Sequence, residues 1–180
     1  MRFFISGEQN RQMVLNTIVL LFLIYMVGLW ISLGLMYFQR MGLTVASVQE
    51  YYLGSAALFT EPRSYQSLLE VSHAHLFSMG MLAVTLTHLL LFAPLADRIK
   101  VFLSLSVYLG AIGDEGAGWL VRFVDPRFAY LKIIMFLLME ISLAVLITIV
   151  IYGLIDQRRR HHSIRRRPQR KRPVANRGPH

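Results

Sequence analysis

Apolar residues fall in four long runs separated by short polar stretches: Met13–Phe38, about Leu68–Leu95, Val101–Val121 and Phe128–Ile155. Each reaches the roughly 20 residues that a helix needs to cross the hydrocarbon core of a bilayer. With 55% of the 180 residues apolar, the pattern predicts an all-α integral membrane protein, a four-helix bundle with room for little else. The first run is longer than a signal-peptide core and no small-residue cleavage site follows it, so it counts as a span. Residues 1–156 then form one transmembrane domain, and 157–180 a basic tail.

The polar stretches refine this. The largest, 39–64, contains "SVQEYYLGSAALFTEPRS". Tyr51, Tyr52, Leu53 and Phe59 could form a short interfacial helix or lid, or an aromatic belt at the membrane surface. Pro62 and Ser64 suit a helix start before the second span. The short "APLADRIK" link makes the second and third spans antiparallel neighbours. A turn at Asp125-Pro126 leads into the fourth.

Charge then sets orientation. The net charge is +9, yet ten of the nineteen Lys and Arg lie in 157–180, and the remaining 156 residues carry nine basic and ten acidic groups. Arg2, Arg11, Arg98, Lys100 and the tail fall on one side, and Arg40, Arg63, Arg122 and Arg127 on the other, fourteen against four. The positive-inside rule predicts cytoplasmic termini and a multi-pass protein of a bacterial-type inner (plasma) membrane. The tail reads as an orientation signal touching anionic headgroups or as a docking segment. No aromatic residues are interleaved with its charges, so nucleic acid is not an expected partner.

No cysteine is present. That excludes disulfides, thiolate-bound zinc, iron–sulfur clusters and covalent c-type haem. Any metal or redox group must be held by His, Met, carboxylate or Tyr.

The candidate chemistry lies inside the apolar runs. The second span, "LLEVSHAHLFSMGMLAVTLTHLLLF", carries Glu70, His73, His75 and His88; the third carries Asp114 and Glu115; the fourth carries Glu140. An ionisable group at a helix centre in lipid costs roughly 2.5–3.5 kcal/mol and needs partners, water or a metal. Rise per residue puts His73 and His75 roughly 8–10 Å below the outer boundary, and Asp114 and Glu115 at a similar depth. Glu70 sits near the outer surface, Glu140 near mid-membrane, and His88 toward the cytoplasmic face. Helical angles place His73 and His75 about 200° apart, and His73 and His88 on roughly one side, about 22 Å apart along the axis. Glu70 shares the His73 face, giving E-x-x-H. The structural alternative is a hydrogen-bond network, with histidine on Asp114 or Glu115 and Glu140 on Tyr25 or Asn16. Gly110, Gly113 and Gly116 could open a flat slot or serve close helix packing.

"HAHLFSMG" (His73–Gly80) fits an H-x-H-x-x-x-x-G pattern. It resembles a histidine-bearing helix of the haem–copper oxidase and nitric oxide reductase-like membrane proteins, including small haem-binding relatives; the likeness covers about a tenth of the chain. It implies a b-type cytochrome: a non-catalytic electron-transfer subunit of a respiratory complex, binding haem b through His73 or His75 near the outer side and His88 near the inner side. Histidines on other helices supply further haem ligands in such families. Here the remaining three, His161, His162 and His180, are in the tail. The second ligand would come from a homodimer, a Met or a partner subunit, and a quinone is compatible as a redox partner.

Three other readings stand beside this one. Glu70, His73, Asp114 and Glu115 offer mixed N/O ligation that could hold non-haem iron, manganese or zinc. Asp114, Glu115, Glu140 and the histidines could relay protons. The polar residues could instead bind another subunit in a non-catalytic assembly. Nothing resembles a Ser–His–Asp site or a phosphate-binding loop, so no catalytic residue is assigned.

Overall fold

The computed structural model describes residues 2–165, with side chains for Arg11 and residues 14–155. The side chains of the basic tail lie outside the described residues. Five α-helices follow in order: α1 (Arg2–Arg40), α2 (Val45–Leu53), α3 (Tyr65–Leu90), α4 (Asp97–Phe123) and α5 (Ala129–Arg165). No strand occurs among the described residues. The fold is all-helical, as the runs predict.

The helix boundaries have local causes. Thr44 caps α2 by accepting from the Ser47 amide, and Ser64 caps α3 by accepting from the Ser67 amide. These caps satisfy amides that would otherwise be orphaned at a helix start. The sequence places the end of the second span at Leu95; the helix ends at Leu90, and tight turns through Ala93 precede Pro94, which has no N–H with which to continue a helix. Asp125 caps a short turn at Pro126–Phe128 that reverses the chain into α5.

Packing centres on the α4–α5 hairpin, against which α3 and α1 lean. Glycine makes the hairpin tight. A Cβ on Gly110 would lie 2.8 Å from the Met139 backbone, and one on Gly113 would lie 2.6 Å from the Met135 sulfur. Gly116 faces open space. The first two glycines therefore serve close packing, and the three do not form a common slot. Tyr37 of α1 stacks on Phe136 of α5, with ring centroids 3.6 Å apart.

The short α2 lies across one end of the long helices and packs on α4 and α5. Tyr52 is buried against Gly118, where a Cβ would come within 2.6 Å of its hydroxyl. Gln49 Nε2 donates to the Pro126 carbonyl at 3.0 Å, and Arg122 Nε donates to the Arg63 carbonyl at 2.8 Å. The segment thus forms the short helix expected there, seated on α4 and α5. Away from this end the interior is mainly apolar, with Leu86, Leu90, Val107, Leu143 and Leu146 beside the buried hydroxyls of Ser106 and Ser142.

Two helical stretches, Val14–Arg40 and Pro126–Ile155, are long and apolar enough to cross a membrane. The ionisable residues of α3 and α4 lower their mean hydropathy. At 26 and 27 residues, these helices still extend about 39–40 Å, more than a bilayer core.

Candidate functional site

Two acid–base pairs sit side by side beneath α2. Asp114 and Glu115 are consecutive on α4, so their side chains point about 100° apart. Glu115 turns toward α3 and Asp114 toward α5. One dipeptide therefore serves two neighbouring helices.

On the α3 side, Nδ1 of His75 lies 2.6 Å from Glu115 Oε1. The other carboxylate oxygen accepts from the Ser72 hydroxyl at 2.9 Å, and that hydroxyl accepts from Trp119 Nε1 at 2.8 Å. Ser72 and His75 are three residues apart on one helix face, and Glu115 and Trp119 are four apart on the facing one. This is the spacing that brings side chains together on a helix surface. The His75 and Glu115 side chains keep 27% and 13% exposure, so the pair is half-buried rather than sealed.

On the α5 side, Lys132 Nζ lies 2.7 Å from Asp114 Oδ1 and donates to the Asp114 main-chain carbonyl at 3.1 Å. Both side chains are almost wholly buried, at 6% and 5% exposure. Asp114 Oδ1 has no hydrogen bond beyond this ionic contact among the described residues. Each partner is thus the other's principal compensation for leaving water.

A cavity of about 60 Å³ opens beside both pairs and is lined by Tyr51, Tyr52, His75, Asp114, Glu115 and Lys132, among others. That volume holds about four waters. It is far below the roughly 300–1,000 Å³ of pockets for larger organic ligands. His75, Asp114 and Glu115 each offer a ligand atom within 4.8 Å of the others. A metal there would compete with the Lys132 ammonium for Asp114 and with His75 for Glu115.

The other sequence-predicted residues lie elsewhere. His73 is exposed on the far side of α3 and makes no hydrogen bond or ion pair among the described residues; Glu70 is exposed on the same side and accepts from Gln66 Nε2 at 3.0 Å. His88 is also exposed, its ring edge-on to Phe92. The E-x-x-H residues thus share a face, but it is the outward one. Glu140 makes no hydrogen bond to Tyr25 or Asn16 among the described residues, and Tyr25 is 66% exposed. Trp30 Nε1 donates to the Glu140 main-chain carbonyl at 3.2 Å, Gly34 lies beside Oε2, and Oε1 is buried without a hydrogen-bond partner among the described residues.

Lys132 is the functional residue that the sequence reading misses. It is the nineteenth basic residue, left over from the fourteen-to-four count. Its signal was present: a lysine one turn inside an apolar run, at the depth where an adjacent helix carries Asp114.

A family described as a transmembrane helical domain matches residues 42–161, two-thirds of the chain and all of it after α1. The match shows no relationship to haem–copper oxidases or nitric oxide reductases. No curated protein and no solved structure matches. The helical architecture, two apolar spans and this match agree: the chain is a membrane protein belonging to that family of transmembrane helical domains.

Proposed function

We propose that this is a four-span protein of a bacterial-type plasma membrane with cytoplasmic termini, carrying a proton-relay site that opens outward beneath α2. The four long helices and the fourteen-to-four charge count support the topology. The observation that carries the function is the pair of contacts His75–Glu115 and Lys132–Asp114 on one water-sized cavity. Intramembrane ionisable groups arranged in this way are the usual makings of proton relays.

Charge balance explains how the site works. Two carboxylates face one ammonium, leaving one negative charge that a proton on His75 neutralises. Histidine is the side chain whose ordinary titration falls near neutral pH. Lys132 holds Asp114 as a fixed pair, so the variable proton resides on the His75–Glu115 contact. Waters in the cavity link this contact to the aqueous side past Tyr51 and Arg40. The apolar interior beyond Glu140 keeps the site closed toward the other face.

The test is ¹⁵N NMR of His75 in lipid nanodiscs, in a variant with His73 and His88 replaced by Gln. The His75 ring-nitrogen signals should respond to pH, and Glu115→Gln should change that response. A His75 signal that ignores pH, or that responds identically in Glu115→Gln, overturns the relay.

A second reading is favoured by His73 and His88, which both face outward on α3. Two copies meeting with space between their α3 helices could present paired histidines to haem b, giving a b-type cytochrome subunit. An oxidised and a dithionite-reduced spectrum of the purified protein decide it. Absence of haem bands in protein prepared with haem supplied removes that reading.

A further inference from the structure

The outward face of α3 carries a regular seam. Glu70, His73, Phe77, Gly80, Val84 and Thr87 follow one another at alternating steps of three and four. This is a strict seven-residue repeat, the spacing that keeps one helix face against a partner along its length. The seam turns away from α4 and α5: Phe77 is 71% and Val84 55% exposed, and Gly80 has nothing within 4 Å of where its Cβ would be.

The seam is also polar at one end. His73 has no partner among the described residues, and Glu70 binds only Gln66 of its own helix. Polar groups in a spanning helix rarely face lipid, since each carries a cost that a partner relieves.

We infer that this seam is the interface of a parallel dimer, and that its occupant is a second copy of the chain. Charge complementarity selects that occupant. Copies inserted in the same orientation meet across a two-fold axis along the membrane normal, which gives a self-complementary interface. Glu70 of each then lies about 4.5 Å in height from His73 of the other, within reach of a carboxylate–imidazole hydrogen bond. The pair forms twice by symmetry. Further along, Gly80 lets the backbones approach, as small residues do at helix contacts in lipid, and Phe77 and Val84 fill the space on either side. The inference rests on α3 being a span. It is independent of the proton relay, whose residues face the other way.

Because the chain has no cysteine, single cysteines test the seam directly in the membrane. Phe77→Cys and Val84→Cys, oxidised with copper–phenanthroline, should give disulfide-linked dimers. Leu109→Cys on α4 and Ile141→Cys on α5, equally exposed but off the seam, should not. A disulfide needs Cβ atoms about 3.5–4.5 Å apart, so helices held apart by an intervening haem would not cross-link. Glu70→Ala should raise the dimer dissociation constant in detergent about 3- to 20-fold, the range of an interhelical hydrogen bond in lipid. Cross-linking of neither seam position, or equal cross-linking at Leu109 and Ile141, overturns the interface. A different subunit on this face would appear as the first of those outcomes. If α3 does not span, a membrane-impermeant maleimide labels Val84→Cys in intact vesicles, and the inference fails at that step.

Discussion

The two halves of the helical body are held together by different forces. At the α2 end, α3, α4 and α5 meet through His75–Glu115 and Asp114–Lys132, with Ser72 and Trp119 completing the hydrogen bonds. Toward the other end the same helices meet through Leu86, Val107, Leu143 and Leu146, all essentially buried. The helices and their order are the same, so the contrast isolates the effect of side-chain chemistry. Apolar contacts degrade gradually, because each methylene contributes separately. Paired charges fail together, because removing one leaves the other buried and uncompensated. A half built on paired charges can respond to a proton, whereas a half built on leucine provides a stable frame.

The largest effect should come from breaking a charge pair. Asp114→Ala leaves the Lys132 ammonium without its carboxylate and should cost about 3–5 kcal/mol. Replacing both, as Asp114→Leu with Lys132→Met, should cost much less, since an apolar pair of similar volume is often neutral or better. Reversible unfolding in mixed micelles measures both. If the double variant is as damaged as the single, the pair is not a self-contained unit, and the contrast between the halves weakens.

Leu146→Ala tests the other half. Removing a buried leucine side chain should cost about 2–5 kcal/mol through lost burial and the cavity left behind. The His75 NMR signal should stay where it was, whereas Asp114→Ala should move it. A Leu146→Ala variant that shifted His75 would show that the halves are coupled through packing.

Much of this contrast is readable from sequence, and its gaps have physical reasons. Rise per residue gives depth, and depth places His73 and His75 level with Asp114 and Glu115. The 200° angle between His73 and His75 separates an inward from an outward residue. Periodicity shows which residues share a face, but not which face meets a neighbour, so Glu70 and His73 read as site residues although they point outward. Lys132 stayed hidden because a window over an apolar run averages one charge away. Glu140 was visible as a buried acid, but its neighbours Trp30 and Gly34 lie on α1, which touches α5 over a stretch that sequence spacing does not identify.

A smaller effect should appear at high pH. Burial pushes the Tyr52 phenol up to about 12 from its usual 10, against the opposing pull of the Lys132 charge. The folded chain therefore keeps a proton that the unfolded chain releases. The stabilisation is fully present below pH 10 and is lost as pH rises toward 12, for a total of about 2–3 kcal/mol. Tyr52→Phe should flatten unfolding free energy across that window. An equally steep loss in Tyr52→Phe would assign the effect to a group other than the phenol that seats α2 on Gly118.

The smallest effect contrasts two glycines on one helix. Gly110 and Gly116 are both within α4, so replacing either by Ala gains about 1 kcal/mol of helix propensity in principle. At Gly110 the new methyl would meet the Met139 main chain at 2.8 Å. Backbone cannot rotate aside as a flexible side chain can, so α4 and α5 must separate. Overpacking of this kind costs about 1–3 kcal/mol, which exceeds the gain. At Gly116 nothing lies within 4 Å, and the gain is kept. Gly110→Ala should therefore lower stability in mixed micelles, while Gly116→Ala leaves it unchanged or slightly raised. Because Gly110 lies one turn from Asp114 on the same helix, its variant should also disturb the Asp114–Lys132 pair, which Gly116→Ala should not. Two alanines with the same effect on stability would mean that α4 and α5 are not in the close contact on which the charged site depends.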